Sequence, residues 1–248
     1  MTTSSEFIWR RVHSLMGLWL VLYLTYHLIV NSQAALWLGN DGGGFVRMVN
    51  SLESLPYLHV IESLFIGVPL FVHGIWGVKR ALQPKLNTLP YARNRAFTWQ
   101  RLTSWILLIG IIGHVVQMRF VYQPKLNDQK QYWVEVSSDD GLIALAERVG
   151  VHISDLENGD VMITAPNPGL AMLFMVRDTF KSPLMAVFYT LFVVAAAFHA
   201  FNGLWTALIT WGAILSYRSQ KAMLPIGWIG ACVLSLLGLA AIWGSYWI

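Results

Sequence analysis

The chain has 248 residues, 56% of them hydrophobic and 12% charged, with twelve tryptophans and a mean hydropathy of +0.52. Soluble domains carry about 25% charged residues, so an ordinary soluble enzyme is excluded. The net charge of +4 is too small to suggest a nucleic-acid partner, and its distribution says more than its sum.

In chain order, apolar stretches lie near 12–36, 57–82, 102–122, 184–216 and 223–247. Each reaches the roughly 20 residues that cross a bilayer as a helix. The expected fold is an all-α integral membrane bundle of five transmembrane helices, with 1–248 as one membrane domain. The first span is too long for a signal peptide, opens on Arg10-Arg11 and lacks a small-residue cleavage site, so it is expected to stay. The lone cysteine, Cys232, excludes disulfides and cysteine-ligated metals within the chain.

Five spans put the N-terminus, the 79–101 loop and the 217–222 loop on one side. That side collects Arg10, Arg11, Lys79, Arg80, Lys85, Arg93, Arg95, Arg101, Arg218 and Lys221 against the single acid Glu6, while the opposite 37–56 loop has Arg47 as its one basic residue. Positive-inside bias then places the N-terminus in the cytoplasm, and the basic face is an orientation signal or a docking surface for an acidic partner. Residues 123–183 are polar enough for water and form a small extracytoplasmic cap between helices 3 and 4. Within it, Asp139-Asp140 and GLIALAERVG predict a capped short helix. HISDLENGDVMITAPNPG predicts a strand pair turning at Asn158-Gly159, followed by a Pro/Gly exit.

Four of the seven histidines, His27, His73, His114 and His199, fall one to a span in the first four spans. An imidazole in hydrocarbon is costly unless paired. One such ring is most simply an interhelical hydrogen bond, but four spread over four helices make two bis-histidine pairs, enough for two six-coordinate b haems. Gly77, Gly110 and Gly203 stand four residues from His73, His114 and His199, on the same helix face, where a flat macrocycle needs clearance. At about 1.5 Å of rise per residue, His27 and His114 sit in the outer half and His73 in the inner. His199 then partners His73 by elimination, although Arg218 lies roughly 28 Å further along its helix by the same rise. His13 and Ser14 adjoin the basic pair, in a place suited to hold haem propionates. His59 and His152 are expected at the surface or interface. Glu62 bonds a quinone, relays a proton or faces water.

Taken in order, RRVHSLMG (10–17), YHLIVN (26–31), SLPYLHVIE (54–62), VHGIWGV (72–78), RNRAFTWQRLT (93–103), GHV (113–115), FHAFNGLWTALITWG (198–212) and YRSQ (217–220) resemble one family. It is the diheme cytochrome b membrane anchor of type B succinate:quinone oxidoreductases. The resemblance implies that His73 and His199 ligate a proximal haem and His27 and His114 a distal one. His13 and Ser14 would lie at the proximal propionates, and Arg10 and Arg11 are further cofactor-binding candidates. It further implies a flavoprotein carrying FAD and the succinate site, an iron–sulfur subunit on the cytoplasmic face, menaquinone as the quinone, and a bacterial cytoplasmic membrane with its lipid around the spans. Two departures stand out: the 123–183 segment is longer than the family pattern, and Ala197 occupies a position where some fumarate-reducing relatives carry a proton-conducting glutamate. Other redox anchors (fumarate reductase, hydrogenase, nitrate reductase) and a haem-free transporter using the histidines as a proton relay are the alternatives.

Overall fold

Among the described residues, five helices are long and apolar enough to cross a membrane: Ser4–Ser32, Leu58–Ala81, Arg95–Val121, Pro183–Thr210 and Tyr217–Tyr246. A bilayer offers the backbone no hydrogen-bond partner, so a span must satisfy its own amides, and an α-helix does so. The structure is a computed structural model and describes residues 4–36, 40–83 and 92–248, with the side chains of 92–94 excepted. Lys85 and the side chain of Arg93, two of the basic residues counted above, lie outside the described residues.

The helix ends differ from the apolar runs for local reasons. Helix α1 (Ser4–Ser32) begins eight residues ahead of the apolar run, because Glu6 and Arg10, one turn apart, pair at 2.7 Å and support a polar helical start. It stops at Ser32, where Asn31 Nδ2 donates back to the His27 carbonyl at 2.8 Å and Ser32 Oγ to that of Ile29, competing with the helical ladder. The 37–56 stretch, read as a loop, holds helix α2 (Gly43–Glu53), an amphipathic segment burying Phe45 and Val49 one turn apart. The 217–222 stretch is likewise not a loop. Ser216 Oγ accepts from Ser219 N–H at 3.1 Å, the arrangement of an N-cap, so Arg218 and Lys221 ride on the first turns of α9 (Tyr217–Tyr246).

The second span is built from α3 (Leu58–Glu62), a π-helical turn (Ser63–Gly67) and α4 (Val68–Ala81). The third is α5 (Ala92–Val115) followed by a π-helical turn (Val116–Val121). Between them and the fourth span lie β1 (Lys125–Leu126), β2 (Tyr132–Ser137), α6 (Asp140–Val149), β3 (His152–Asp155), β4 (Asp160–Ala165) and α7 (Pro168–Lys181). Helix α8 (Pro183–Thr210) is the fourth span.

The chain divides into two compact units. The first comprises the residues up to Tyr26, His59–Gly110 and Phe192–Ser235. In it Trp9 stacks on Trp76 at 5.8 Å, and Arg101 donates to the Ala81 carbonyl. Asn202 Nδ2 donates to Gln100 Oε1 at 2.6 Å, and the Phe201 ring occupies the notch over Gly230.

The second unit comprises His27–Leu58, Ile111–Leu191 and Leu236–Ile248. Its antiparallel sheet has the order β1-β2-β4-β3, and β3 and β4 turn at the Asn158-Gly159 pair. Val134, Val136, Val161, Ile163 and Ala165 are the buried alternate residues of β2 and β4. They face α7, nine of whose fourteen residues are buried, as befits a helix held between the sheet and α2. The segment after the hairpin, read as a Pro/Gly exit, is in fact the start of α7. Asn167 caps it by accepting from Leu170 N–H at 3.0 Å, and Pro168 sits at its first position. Asn50 of α2 locks the crossing, accepting from Gly169 N–H at 2.8 Å and donating to Asn167 Oδ1 at 3.1 Å.

One ion pair organises this unit. Arg177, 1% exposed, donates from Nη1 and Nη2 to the two carboxylate oxygens of Asp139 at 2.8 and 2.6 Å, and from Nη2 to the main-chain oxygen of Ile248 at 2.8 Å. Asp139 also caps α6, accepting from Leu142 N–H at 3.0 Å. The guanidinium beside it holds its carboxyl down, at about 2. Burial pushes the Asp178 carboxyl the other way, upward, against the Ser137 N–H it accepts from.

Candidate cofactor sites: two histidine pairs

The four intramembrane histidines meet in two pairs, one inside each unit. In the first unit His73 of α4 and His199 of α8 have ring centres 6.3 Å apart with planes at 81°. In the second, His27 of α1 and His114 of α5 have ring centres 5.8 Å apart, also at 81°. Imidazole nitrogen binds a first-row metal at about 2 Å, and the ring centre lies roughly 1 Å further out. Two trans imidazoles on one ion therefore stand about 6 Å apart, centre to centre. Among the described residues no group of three or more His, Cys, Asp or Glu side chains could hold a metal ion. Any iron here therefore needs an equatorial ring of its own, as in a porphyrin.

A histidine ligates through one nitrogen while a hydrogen bond from the other fixes the tautomer. His73 Nδ1 lies 3.1 Å from the main-chain carbonyl oxygen of His13. A carbonyl only accepts, so Nδ1 carries the proton and Nε2 the lone pair. His199 Nδ1 lies 3.3 Å from Thr103 Oγ1, whose own proton goes to the Trp99 carbonyl at 2.8 Å. The same tautomer follows. His114 Nδ1 lies 3.2 Å from Tyr189 Oη, and the phenol donates to Gln117 Oε1 at 3.1 Å; Nε2 again keeps the lone pair. At His27 it is Nε2 that faces a donor, Asn31 Nδ2, at a long 3.5 Å, while the stronger bond of that amide goes to the His27 carbonyl.

The chain also leaves a polar atom that a cofactor would satisfy. His13 stacks on His73 with ring centres 4.1 Å apart and planes at 9°, and among the described residues its buried Nε2 has no hydrogen-bond partner. Buried polar atoms are almost always paired. A haem propionate is an acceptor of the right chemistry for that N–H, and the first histidine pair with His13 fits the group.

The glycines beside the ligand candidates differ. Among the described residues no atom lies within 4 Å of a Cβ built on Gly74, and at Gly77 the nearest is His13 Nε2 at 3.8 Å. At Gly203 it is Gln100 Nε2 at 3.6 Å, and Gln100 in turn donates to the His199 carbonyl at 3.2 Å. The space over Gly110 belongs to the Phe192 ring, so there the missing side chain serves helix packing. The closest approach to the ring of a ligand candidate is at Gly17, where a Cβ would stand 2.8 Å from His73 Cε1. Only a residue without a side chain lets the His73 ring lie against α1.

Other candidates are engaged elsewhere. Arg10 pairs with Glu6, which also receives Arg80 at 3.4 Å. Arg11 lies over the Phe7 ring at 4.0 Å and the Trp211 ring at 5.6 Å. Ser14 Oγ accepts from Trp211 Nε1 at 3.1 Å. Glu62 faces His59, one turn earlier, at 3.7 Å; His59 is exposed and Glu62 half-buried. Thr103, Tyr189, Gln117 and Gly17 have contacts at the pairs that spacing could not announce. Thr103 and Tyr189 are ordinary polar residues 96 and 75 positions from the rings they touch.

No family model matches the chain. It is 30% identical over 245 residues to the succinate dehydrogenase cytochrome b558 subunit of Bacillus subtilis (strain 168), with 98% of each chain covered. A likeness of that extent, together with five apolar helices, makes this a multi-pass membrane protein that belongs to the family of succinate dehydrogenase cytochrome b subunits.

Proposed function

We propose that the chain is the membrane anchor of a succinate dehydrogenase and relays electrons from an iron–sulfur partner, through two bis-histidine b haems, to menaquinone. The observation that carries the reading is the meeting of four intramembrane histidines as two pairs, at 6.3 and 5.8 Å between ring centres. A bis-histidine haem supplies one-electron, outer-sphere transfer and has no open position for oxygen.

The chain's own residues do the positioning. His73 and His199 hold the proximal haem, and the His13 carbonyl and Thr103 hydroxyl set their tautomers. His27 and His114 hold the distal one. The buried Nε2 of His13 binds a propionate of the proximal group. Glu62, half-buried beside His59 on the second span, is the group that bonds the quinone or relays a proton. The succinate site and FAD belong to a partner flavoprotein, which docks with the iron–sulfur subunit on the basic cytoplasmic face; the 123–183 segment lies on the opposite side. The quinone is reduced toward the outer side, so electrons cross the membrane and turnover responds to its potential. An uncoupler without effect on sealed vesicles would remove that last element.

The test of the whole is a dithionite-reduced minus oxidised spectrum of the purified protein with haem quantified per chain. Two b haems are expected, one lost in His73→Ala or His199→Ala and the other in His27→Ala or His114→Ala. A chain without haem overturns the reading in favour of a histidine proton relay.

A further inference from the structure

We infer that Tyr189 and Gln117 form a two-step hydrogen-bond relay that locks His114 in its ligating tautomer, which makes them positioning residues for the distal haem. This rests on the function proposed above and goes beyond it.

The direction of the relay follows from proton counting. Tyr189 Oη carries one proton and lies 3.1 Å from Gln117 Oε1 and 3.2 Å from His114 Nδ1. An amide oxygen only accepts, so the phenol donates to Gln117 and receives the Nδ1 proton on its own lone pair. His114 Nε2 is thereby the ligating nitrogen. Gln117 lies three residues after His114, on the same helical face, and in the π-helical turn its carbonyl takes the N–H of Tyr122 at 2.9 Å.

The phenol is held by packing. Tyr189 is 4% exposed, and the rings of Phe180 and Phe188 stand edge-on to it at 5.2 and 5.4 Å. Such a hydroxyl takes a hydrogen-bond partner, and the two rings fix where the phenol stands. The other two Nδ1 partners are simpler, a main-chain carbonyl at His73 and a single hydroxyl at His199.

Three variants read the relay. Tyr189→Phe keeps the packed ring and removes the acceptor for Nδ1–H, which lowers the basicity of His114. Gln117→Leu removes the Oε1 that takes the phenol's proton, so the phenol turns that proton toward Nδ1 and favours the tautomer whose Nε2 cannot ligate. The double variant has no phenol to turn.

The experiment is haem quantification and an optically followed redox titration of the assembled complex carrying each variant. Loss of an outer-shell partner weakens metal-site affinity by about 10–100-fold. A tenfold loss confined to the ferric form raises a one-electron midpoint by about 59 mV. Tyr189→Phe should raise the midpoint of the distal haem and leave the proximal one in place. Gln117→Leu should lose more distal haem than Tyr189→Phe, and the double variant should match Tyr189→Phe. Single variants with the parent's occupancy and midpoints, or losses that simply add in the double variant, overturn the relay while two haems in the parent uphold the functional reading. A parent without haem overturns both.

Discussion

Trp19 donates its indole N–H to the main-chain carbonyl of Phe65 at 2.5 Å, and Pro69 is the reason that carbonyl is available. The α-helical partner of residue 65 is the N–H of residue 69, which proline lacks. The span answers with a π-helical turn over Ser63–Gly67 and borrows a donor from α1. Replacing Trp19 by Phe should destabilise the detergent-solubilised protein by about 1 kcal/mol. In a Pro69→Ala background the helix supplies its own donor and the penalty should vanish. The two-residue cycle, read by thermal unfolding, is the check; equal penalties in both backgrounds would sever the two features.

Gly17 and His73 are too close for any side chain at position 17. Gly17→Val should push the His73 ring off its seat, at a cost of about 1–3 kcal/mol for the overpacking, and halve the haem content. Haem per chain and the surviving spectrum decide it: the remaining haem should be the one lost in His27→Ala.

Thr103→Val keeps the shape of the residue and removes the oxygen that accepts from His199 Nδ1. Haem affinity at this pair should fall by about 10–100-fold, and Thr103→Ser should restore it. A serine variant as poor as the valine would place the effect in packing, not in the hydrogen bond.

The Asp139–Arg177 pair makes a pH prediction for the 123–183 segment. The carboxyl titrates at about 2 in the folded protein against 3.8 unfolded. A depressed carboxyl stabilises the fold fully above the unfolded value and loses that contribution as pH falls through the folded one. Protease resistance of the segment should therefore hold down to about pH 4 and fall between about pH 4 and 2. Asp139→Asn strands a guanidinium that is 1% exposed and should cost about 3–5 kcal/mol at neutral pH. Its residual stability should no longer fall across that window.

The spans and the histidines were legible because both signals are long or rare: a run of 20 apolar residues, an imidazole inside it. The ends were not. Ser4–Arg11 is polar and helical, Gly212 with φ of 77° ends α8 before its apolar run is over, and a serine at 216 starts α9 inside what reads as a basic loop. The start of α7 is hidden at Asn167-Pro168, where a cap and a first-turn proline look like a chain break. The tautomer-setting groups could not be found in the sequence, since a threonine or tyrosine acquires that role only when another helix brings a ring to it.

The hydrogen bond to His73 ends on a main-chain oxygen, and this has a genetic consequence. Every codon at position 13 encodes the same carbonyl, so a change there can remove the stacked imidazole but not the acceptor. Thr103 and Tyr189 are single mutational steps from losing theirs. Variation can therefore adjust the surroundings of His199 and His114 freely, while those of His73 are shielded from mutation and shift only when α1 itself moves.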